Sequence, residues 1–254
     1  MIAGVLHTVP ALAGAFDELL AESIPGAYRE HIVDAWLLET AIADGVTADV
    51  RARVASHLAH LADAGADAVL VTCSSIGEAA ERAAEGMRIP VVRVDAAMAA
   101  EAVRLAGSGA RVSGPPVTAA PMIAALATNT ATLGPTSRLI EREAAAQGSG
   151  AVVTARVVAG AAAARAEGDR ATHDRLIAEA VRAVAGEATV VVLAQASMAD
   201  AAAAAGVDVP VLTSPAGGVA RLREALTPSG PDGPVASANR PAASGPDGTS
   251  GVRP

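Results

Sequence analysis

Two stretches decide how this sequence folds: DAVLVTCSSIGE (Asp67–Glu78) and TVVVLAQASMAD (Thr189–Asp200). Each is a short apolar run that ends in small polar residues and passes into a helix-like pattern. With Cys73 set against Gln195 (195 − 73 = 122), Val69 meets Val191, Ser75 meets Ser197, Ile76 meets Met198 and Glu78 meets Asp200. Upstream, Arg53 meets Arg175, and the two preceding helical patterns have the same length. Downstream, IPVV (Ile89–Val92) and VPVL (Val209–Leu212) follow at nearly equal distance. His7-Thr8 meets Asn129-Thr130, each pair closing an apolar run. Self-similarity at a fixed spacing marks an internal repeat. It predicts an N-terminal lobe over 1–106 and a C-terminal lobe over 122–227, joined by a Gly/Pro-interrupted segment, 107–121. The alternative is one doubly wound sheet without duplication.

Working outward, apolar runs alternate with Ala-rich helical patterns. Strands are expected at Ile2–Leu6, Ala68–Val71, Val91–Val94, Ile123–Ala127, Val152–Val158, Val190–Leu193 and Val209–Leu212. Unbroken apolar runs of this length suit strands of a parallel sheet covered on both faces. Helices are expected at Ala11–Glu22, Ala48–Ala64, Ser75–Ala84, Ala96–Leu105, Thr136–Ala146, Arg170–Ala185, Ala199–Ala204 and Gly217–Leu226. In the second of these, Val50, Val54, Leu58 and Leu61 share one helical face. The fold class is therefore α/β, with two pseudo-symmetric parallel-sheet lobes. Residues 228–254 are Pro, Gly, Ser and Ala with almost nothing large and apolar, so a disordered tail is expected.

Composition excludes several functions. The 254 residues are 52% hydrophobic, enough for a core, and the net charge of −8 disfavours a phosphate backbone as partner. All 19 basic residues are arginine, which removes a lysine Schiff base and a P-loop lysine. Phe16, Tyr28 and Trp36 are too few to stack nucleic-acid bases. One cysteine allows no internal disulfide and no cysteine-based zinc site. The longest charge-free stretch, between Arg111 and Arg138, carries four prolines, so no membrane-spanning helix is expected there. Without a basic region before the first apolar run, a cytoplasmic protein is expected.

Parallel α/β sheets bind ligands at the carboxyl ends of their strands. Four strand ends here are polar: His7-Thr8, Thr72-Cys73-Ser74-Ser75, Thr128-Asn129-Thr130 and Gln195-Ala196-Ser197. Two come from each lobe, so facing lobes would bring all four to one cleft. Ser74 or Ser75 is expected to cap the helix running through Ala84, and Ser197 to cap its counterpart. Free N–H groups at such a helix start bind carboxylate and lower the pKa of a neighbouring thiol.

These residues resemble the aspartate/glutamate racemase superfamily, which includes hydantoin racemases, maleate isomerases and arylmalonate decarboxylases. The resemblance runs from about Ile2 to Leu226 and rests on VLVTCSSIGE, VVVLAQASMAD, LATNTATLGPT (Leu126–Thr136) and VPVLTSP (Val209–Pro215). It implies two lobes with the active site between them, no cofactor, a small carboxylate substrate and, in many members, a homodimer. It implies a thiol on each side of the substrate's α-carbon. Cys73 matches the first-lobe thiol. Ser74 and Ser75 match residues that hold the substrate carboxylate, and Thr128 and Thr132 fall in the segment that adds further contacts. The second-lobe thiol position holds Gln195, in LAQASM, where two-thiol members have Leu-Gly-Cys. An amide is neither acid nor base near neutral pH, so the two-thiol mechanism cannot run unchanged. A second departure is Arg111–Pro121, a longer approach to LATNT than the family pattern.

Cys73 is accordingly the candidate thiolate base, against the plain reading of a small core residue at a strand end. His7 is a candidate proton donor, or else a hydrogen-bonded turn residue. Thr8, Asn129, Gln195 and Ser197 join Ser74, Ser75, Thr128 and Thr132 as candidate substrate contacts. His57 and His60 lack partners for a metal, and His31 and His173 read as surface residues. Ala159–Gly168 reads as a small-residue helix rather than a phosphate loop. The expected function is a cofactor-independent racemase or isomerase of a small carboxylate such as an amino acid or hydantoin. The alternatives are a single-thiol decarboxylase of a malonate-like acid and a non-catalytic carboxylate-binding homologue.

Overall fold

The computed structural model describes residues 1–108 and 120–227. The expected tail and most of the expected connecting segment lie outside the described residues. Unbroken apolar runs became central strands: β3 (Ala68–Val71) and β7 (Val190–Leu193) are buried at every position. β1 (Ile2–His7) and β5 (Met122–Ala127) lie beside them. The outer strands are β2 (Tyr28–Val33), β4 (Val91–Arg93), β6 (Val152–Val157) and β8 (Val211–Thr213). They form two four-stranded sheets, β2-β1-β3-β4 and β6-β5-β7-β8, with every pair parallel. Leu6 stands opposite Val71 in one sheet as Leu126 stands opposite Leu193 in the other. The repeat is thus present, and a single doubly wound sheet is not.

In the first half the helices are α1 (Pro10–Ser23), α2 (Ala35–Ala43), α3 (Ala48–Asp63), α4 (Gly77–Ala84) and α5 (Ala96–Gly107). In the second they are α6 (Thr130–Ala146), α7 (Ala161–Ala166), α8 (Arg170–Ala185), α9 (Ala199–Ala204) and α10 (Pro215–Leu226). α3 buries Val50, Val54, Leu58 and Leu61, and the Thr47 hydroxyl caps it by accepting from the Val50 N–H.

Three features differ from the sequence reading. β2 and α2 were not expected, because YREHIV is a half-exposed edge strand with no apolar run. α6 begins six residues before Thr136 and carries Pro135 inside it. So close to the start of a helix, the missing N–H removes only one intrahelical bond. Third, the last helix of each half covers the other half's sheet. α5 buries Met98, Ala102 and Val103 against Ile123, Ala125, Val190 and Val192. α10 buries Val219, Leu222 and Leu226 against Ala3, Val5, Ala68 and Leu70. Each buried Met, Val, Leu or Ile side chain in these contacts contributes about 1.5–3 kcal/mol.

Arginines on α6 add a polar seam between the halves. Arg138 forks onto Glu78 at 2.7 and 3.1 Å, and Arg142 reaches Glu81 at 2.9 Å. Glu81 also pairs with buried Arg93, which holds Asp95 in a two-point contact of 2.9 and 2.9 Å. Among the described residues, no helix is long and apolar enough to cross a membrane.

Candidate active site

The repeat places Cys73 and Gln195 in equivalent positions. Each follows a buried central strand in extended conformation (φ −124°, ψ 116° and φ −123°, ψ 135°) and precedes a short 3-10 turn, Ser74–Ile76 or Ala196–Met198. Both line a cavity of about 30 Å³ between the strand ends of the two halves. Thr8, Thr72 and Ser74 complete its wall from one side, and Thr132 and Ser197 from the other. That volume holds only a few waters.

Cys73 is half-buried, and part of it faces this cavity. Its sulfur is nevertheless enclosed closely enough that loss of solvation dominates its acidity: burial pushes the thiol above its ordinary pKa. The Thr8 hydroxyl, the N–H and hydroxyl of Ser75 and the Ile76 N–H pull it down without compensating. The expectation of a lowered thiol pKa is therefore corrected. Four donors do not replace the hydration that the thiolate would lose.

The serines do not cap, and this also corrects the sequence reading. No side chain caps α4 or α9, whose capping positions are Ile76 and Met198. Ser74 Oγ instead donates across to the Ala194 carbonyl at 3.2 Å, and Ser75 Oγ meets Thr132 Oγ1 at 2.9 Å. Both bonds tie one half to the other beside the sulfur. Asn129 accepts from the Thr132 N–H at 2.9 Å and caps α6. The Thr128 N–H donates to Gln195 Oε1 at 2.5 Å. Gln195 is thus anchored through its oxygen, and its amide N–H groups have no partner among the described residues. Ser75, Thr128 and Asn129 stand behind the cavity wall rather than in it.

His7 is fully buried and is not part of the cavity wall. It reaches the cavity through Thr72, whose Oγ1 lies 3.0 Å from His7 Nδ1. On its other side, His7 Nε2 lies 2.9 Å from His31 Nδ1, and His31 Nε2 lies 3.2 Å from Asp17 Oδ1. The two imidazole rings are parallel within 3°, with their centroids 5.2 Å apart. Burial first, and then the nearby His31, pull the His7 pKa down to about 4. Thr72 Oγ1 also donates to the Leu6 carbonyl at 3.2 Å. With the Asp17 carboxylate accepting from His31 Nε2–H, each neutral imidazole donates outward and accepts inward. A continuous hydrogen-bonded chain therefore runs from the cavity wall to the surface.

His31 is consequently half-buried and bonded at both nitrogens, not a surface residue. His173 is fully buried on α8, above Ile177, Val181 and Val184. Its spacing of four from Ile177 was the signal that placed it on the inner face. His57 contacts the buried Asp34 carboxylate at 2.6 Å, and Arg53 holds the same carboxylate. Among the described residues, no three His, Cys, Asp or Glu side chains are grouped to hold a metal ion.

The sequence model of the Asp/Glu/hydantoin racemase family matches residues 8–222. The chain belongs to this family. Its fold is similar to that of a glutamate racemase isoform from Bacillus anthracis, with TM-score 0.65, 17% identity and coverage of 89% of this chain and 81% of that one. It is similar to the aspartate racemase of Picrophilus torridus, with TM-score 0.63, 14% identity and coverage of 89% and 94%. The allantoin racemase of Klebsiella pneumoniae is a further likeness, with TM-score 0.53, 15% identity and coverage of 88% and 86%. At these identities the likenesses establish fold alone. No curated protein matches the sequence.

As a member of the racemase family, the chain has one sulfur and one amide where its own repeat offers two equivalent positions. Of the residues singled out in the sequence, Cys73, Thr8, Ser74, Thr132, Gln195 and Ser197 share the cavity wall. Thr72, Asp17 and His31 were missed. Thr72 was visible at the strand end, but nothing in the sequence brings α1 and β2 to His7.

Proposed function

We propose that this chain is a cofactor-independent racemase or isomerase that moves a proton at the α-carbon of a small carboxylate, with Cys73 as the base. The observation that carries the reading is the Cys73 sulfur at the wall of a cavity shared by both halves, faced by the Thr8 and Ser75 hydroxyls and the Ser75 and Ile76 N–H groups. The resting group is a thiol; it gives its proton to water, and those donors stabilise the thiolate that remains. The thiolate takes the α-proton, and the electron pair left on carbon delocalises into the carboxylate. Preorganised donors at such charge are worth about 3–4 kcal/mol each. The carbanion is then reprotonated by water or through Thr72, which the His7–His31–Asp17 chain connects to solvent. Thr8, Ser74, Thr132, Gln195 and Ser197 hold the ligand, while Ser75, Thr128 and Asn129 support them from behind.

The test is incubation of the protein in deuterated water with the D- and L-forms of aspartate, glutamate and a 5-substituted hydantoin. Deuterium is expected at the α-carbon of at least one, and Cys73→Ala abolishes it. No exchange with any would overturn the reading.

Gln195 supports a second reading. Its oxygen is held by the Thr128 N–H, so the face opposite Cys73 lacks an acid. Decarboxylation of a malonate-like acid needs only one proton donor, because loss of carbon dioxide makes the carbanion. Carbon dioxide released from a malonate panel, and lost in Cys73→Ala, would select this reaction. Ligand-induced stabilisation with neither exchange nor release would leave a carboxylate-binding homologue.

A further inference from the structure

The cavity beside Cys73 is too small for much more than the reacting end of an acid. Leu12, Ala196 and Ser197 form one side of it, and the same three residues also line a second cavity of about 400 Å³. The two spaces therefore adjoin. One wall of the larger space is the apolar face of α1, from Leu12 through Ala15 and Phe16 to Leu19. Arg165 from α7 and Arg170 at the start of α8 stand in the same lining. Arg170 is neutralised by Asp200. Arg165 is half-buried, and among the described residues its guanidinium has neither a carboxylate nor a carbonyl partner. The larger cavity thus combines an apolar wall with a cation that has no carboxylate partner among the described residues, and it shares three lining residues with the proposed reaction site.

We propose that this cavity holds the distal part of the substrate, and that this part is an apolar spacer ending in a second carboxylate paired with Arg165. The inference rests on the proposed carboxylate site at Cys73 and deepens it. The preferred substrate class becomes an acid with a long anionic tail, compact amino acids being turned over as its poorer analogues. An arginine fork matches a carboxylate by two parallel hydrogen bonds. Each methylene fully removed from water against the α1 face can tighten binding by about fourfold.

Calorimetric titration of the full-length protein with straight-chain dicarboxylates from succinate to sebacate tests this. Sebacate is expected to bind at least tenfold more tightly than succinate, and more tightly than decanoate, which lacks the second charge. Arg165→Gln is expected to bring sebacate down to decanoate while leaving succinate within threefold of its original affinity. If succinate binds but chain length has no effect, the distal cavity is not a tail site and the inference fails, while the site at Cys73 stands. If length helps but Arg165→Gln changes nothing, the anionic terminus is wrong and the inference fails. If no dicarboxylate of any length binds, the carboxylate site itself fails and takes the inference with it.

Discussion

His7 shows how much a single side chain can carry when its neighbours fix its protonation. Fully buried between Thr72 and His31, it is desolvated, and its folded-state pKa falls to about 4 from an ordinary value near 6.5. The unfolded chain binds a proton on this residue below about pH 6.5, whereas the folded chain resists it until about pH 4. Stability from this residue is therefore fully present above pH 6.5 and is lost as pH falls towards 4. A shift of that size corresponds to a change on the order of 3 kcal/mol. Urea denaturation at pH 7, 6 and 5 should show the wild type weakening steadily and His7→Gln weakening much less. Equal slopes would mean that His7 is not buried in its neutral form. The sequence shows His7 at the end of an apolar run, which is why it stood out. The residue that decides its chemistry, His31, sits in YREHIV, a stretch that gives no sign of burial. Cys73 presents the opposite case. Its position is readable from the strand–turn pattern, but the sign of its pKa shift depends on enclosure by Thr8 and Ser75, which only the fold reveals.

At the level of elements, helices that close the sheets depend on residues too small to obstruct them. Gly218 in α10 meets β4 at the residue after the strand: a Cβ there would lie 2.8 Å from Val94 Cα and 2.9 Å from its carbonyl oxygen. Backbone cannot retreat as a side-chain end can, so Gly218→Ala must push α10 off the sheet, at a cost of about 1–3 kcal/mol. Gly14, inside α1, has nothing within 4 Å of the equivalent position. Gly14→Ala should instead stabilise by about 0.5–1 kcal/mol, because alanine loses less backbone freedom on forming a helix. Thermal melts of both variants beside the wild type would show midpoints moving in opposite directions. Two downward shifts of similar size would mean that helix propensity, not close approach, governs both sites. This contrast is invisible in the sequence, where GAFDELL and GGVARLREAL look like equally good helix text. The apolar runs of β3 and β7 were readable because burial on both faces leaves no room for polar residues. The edge strand β2 was not, because half its surface faces water.

Across the whole molecule, the exchange of α5 and α10 makes the two halves one cooperative object. The repeat is visible at an offset of about 120 residues, but the offset does not say which sheet the last helix of each half covers. Packing supplies that. Leu222, fully buried, closes the core over Ala3, Val5 and Leu70, residues more than 150 positions earlier in the chain. Offset alone cannot reveal such an exchange, since either arrangement satisfies the same pattern of apolar residues. The consequence is measurable with the single tryptophan. Trp36 lies in the first half with the Arg53 guanidinium 4.9 Å from its ring, so its fluorescence reports unfolding there alone. Far-ultraviolet circular dichroism reports both halves. Leu222→Ala alters only the second half of the sequence and should cost about 2–5 kcal/mol through the cavity it leaves. If the halves share their cores, the Trp36 transition in urea shifts to lower concentration by the same amount as the dichroism transition, and both remain single steps. A Trp36 midpoint that stays in place while the dichroism curve splits would mean that α10 does not hold the first sheet. The facing strand ends around Cys73 would then lose the rigid frame that their geometry requires.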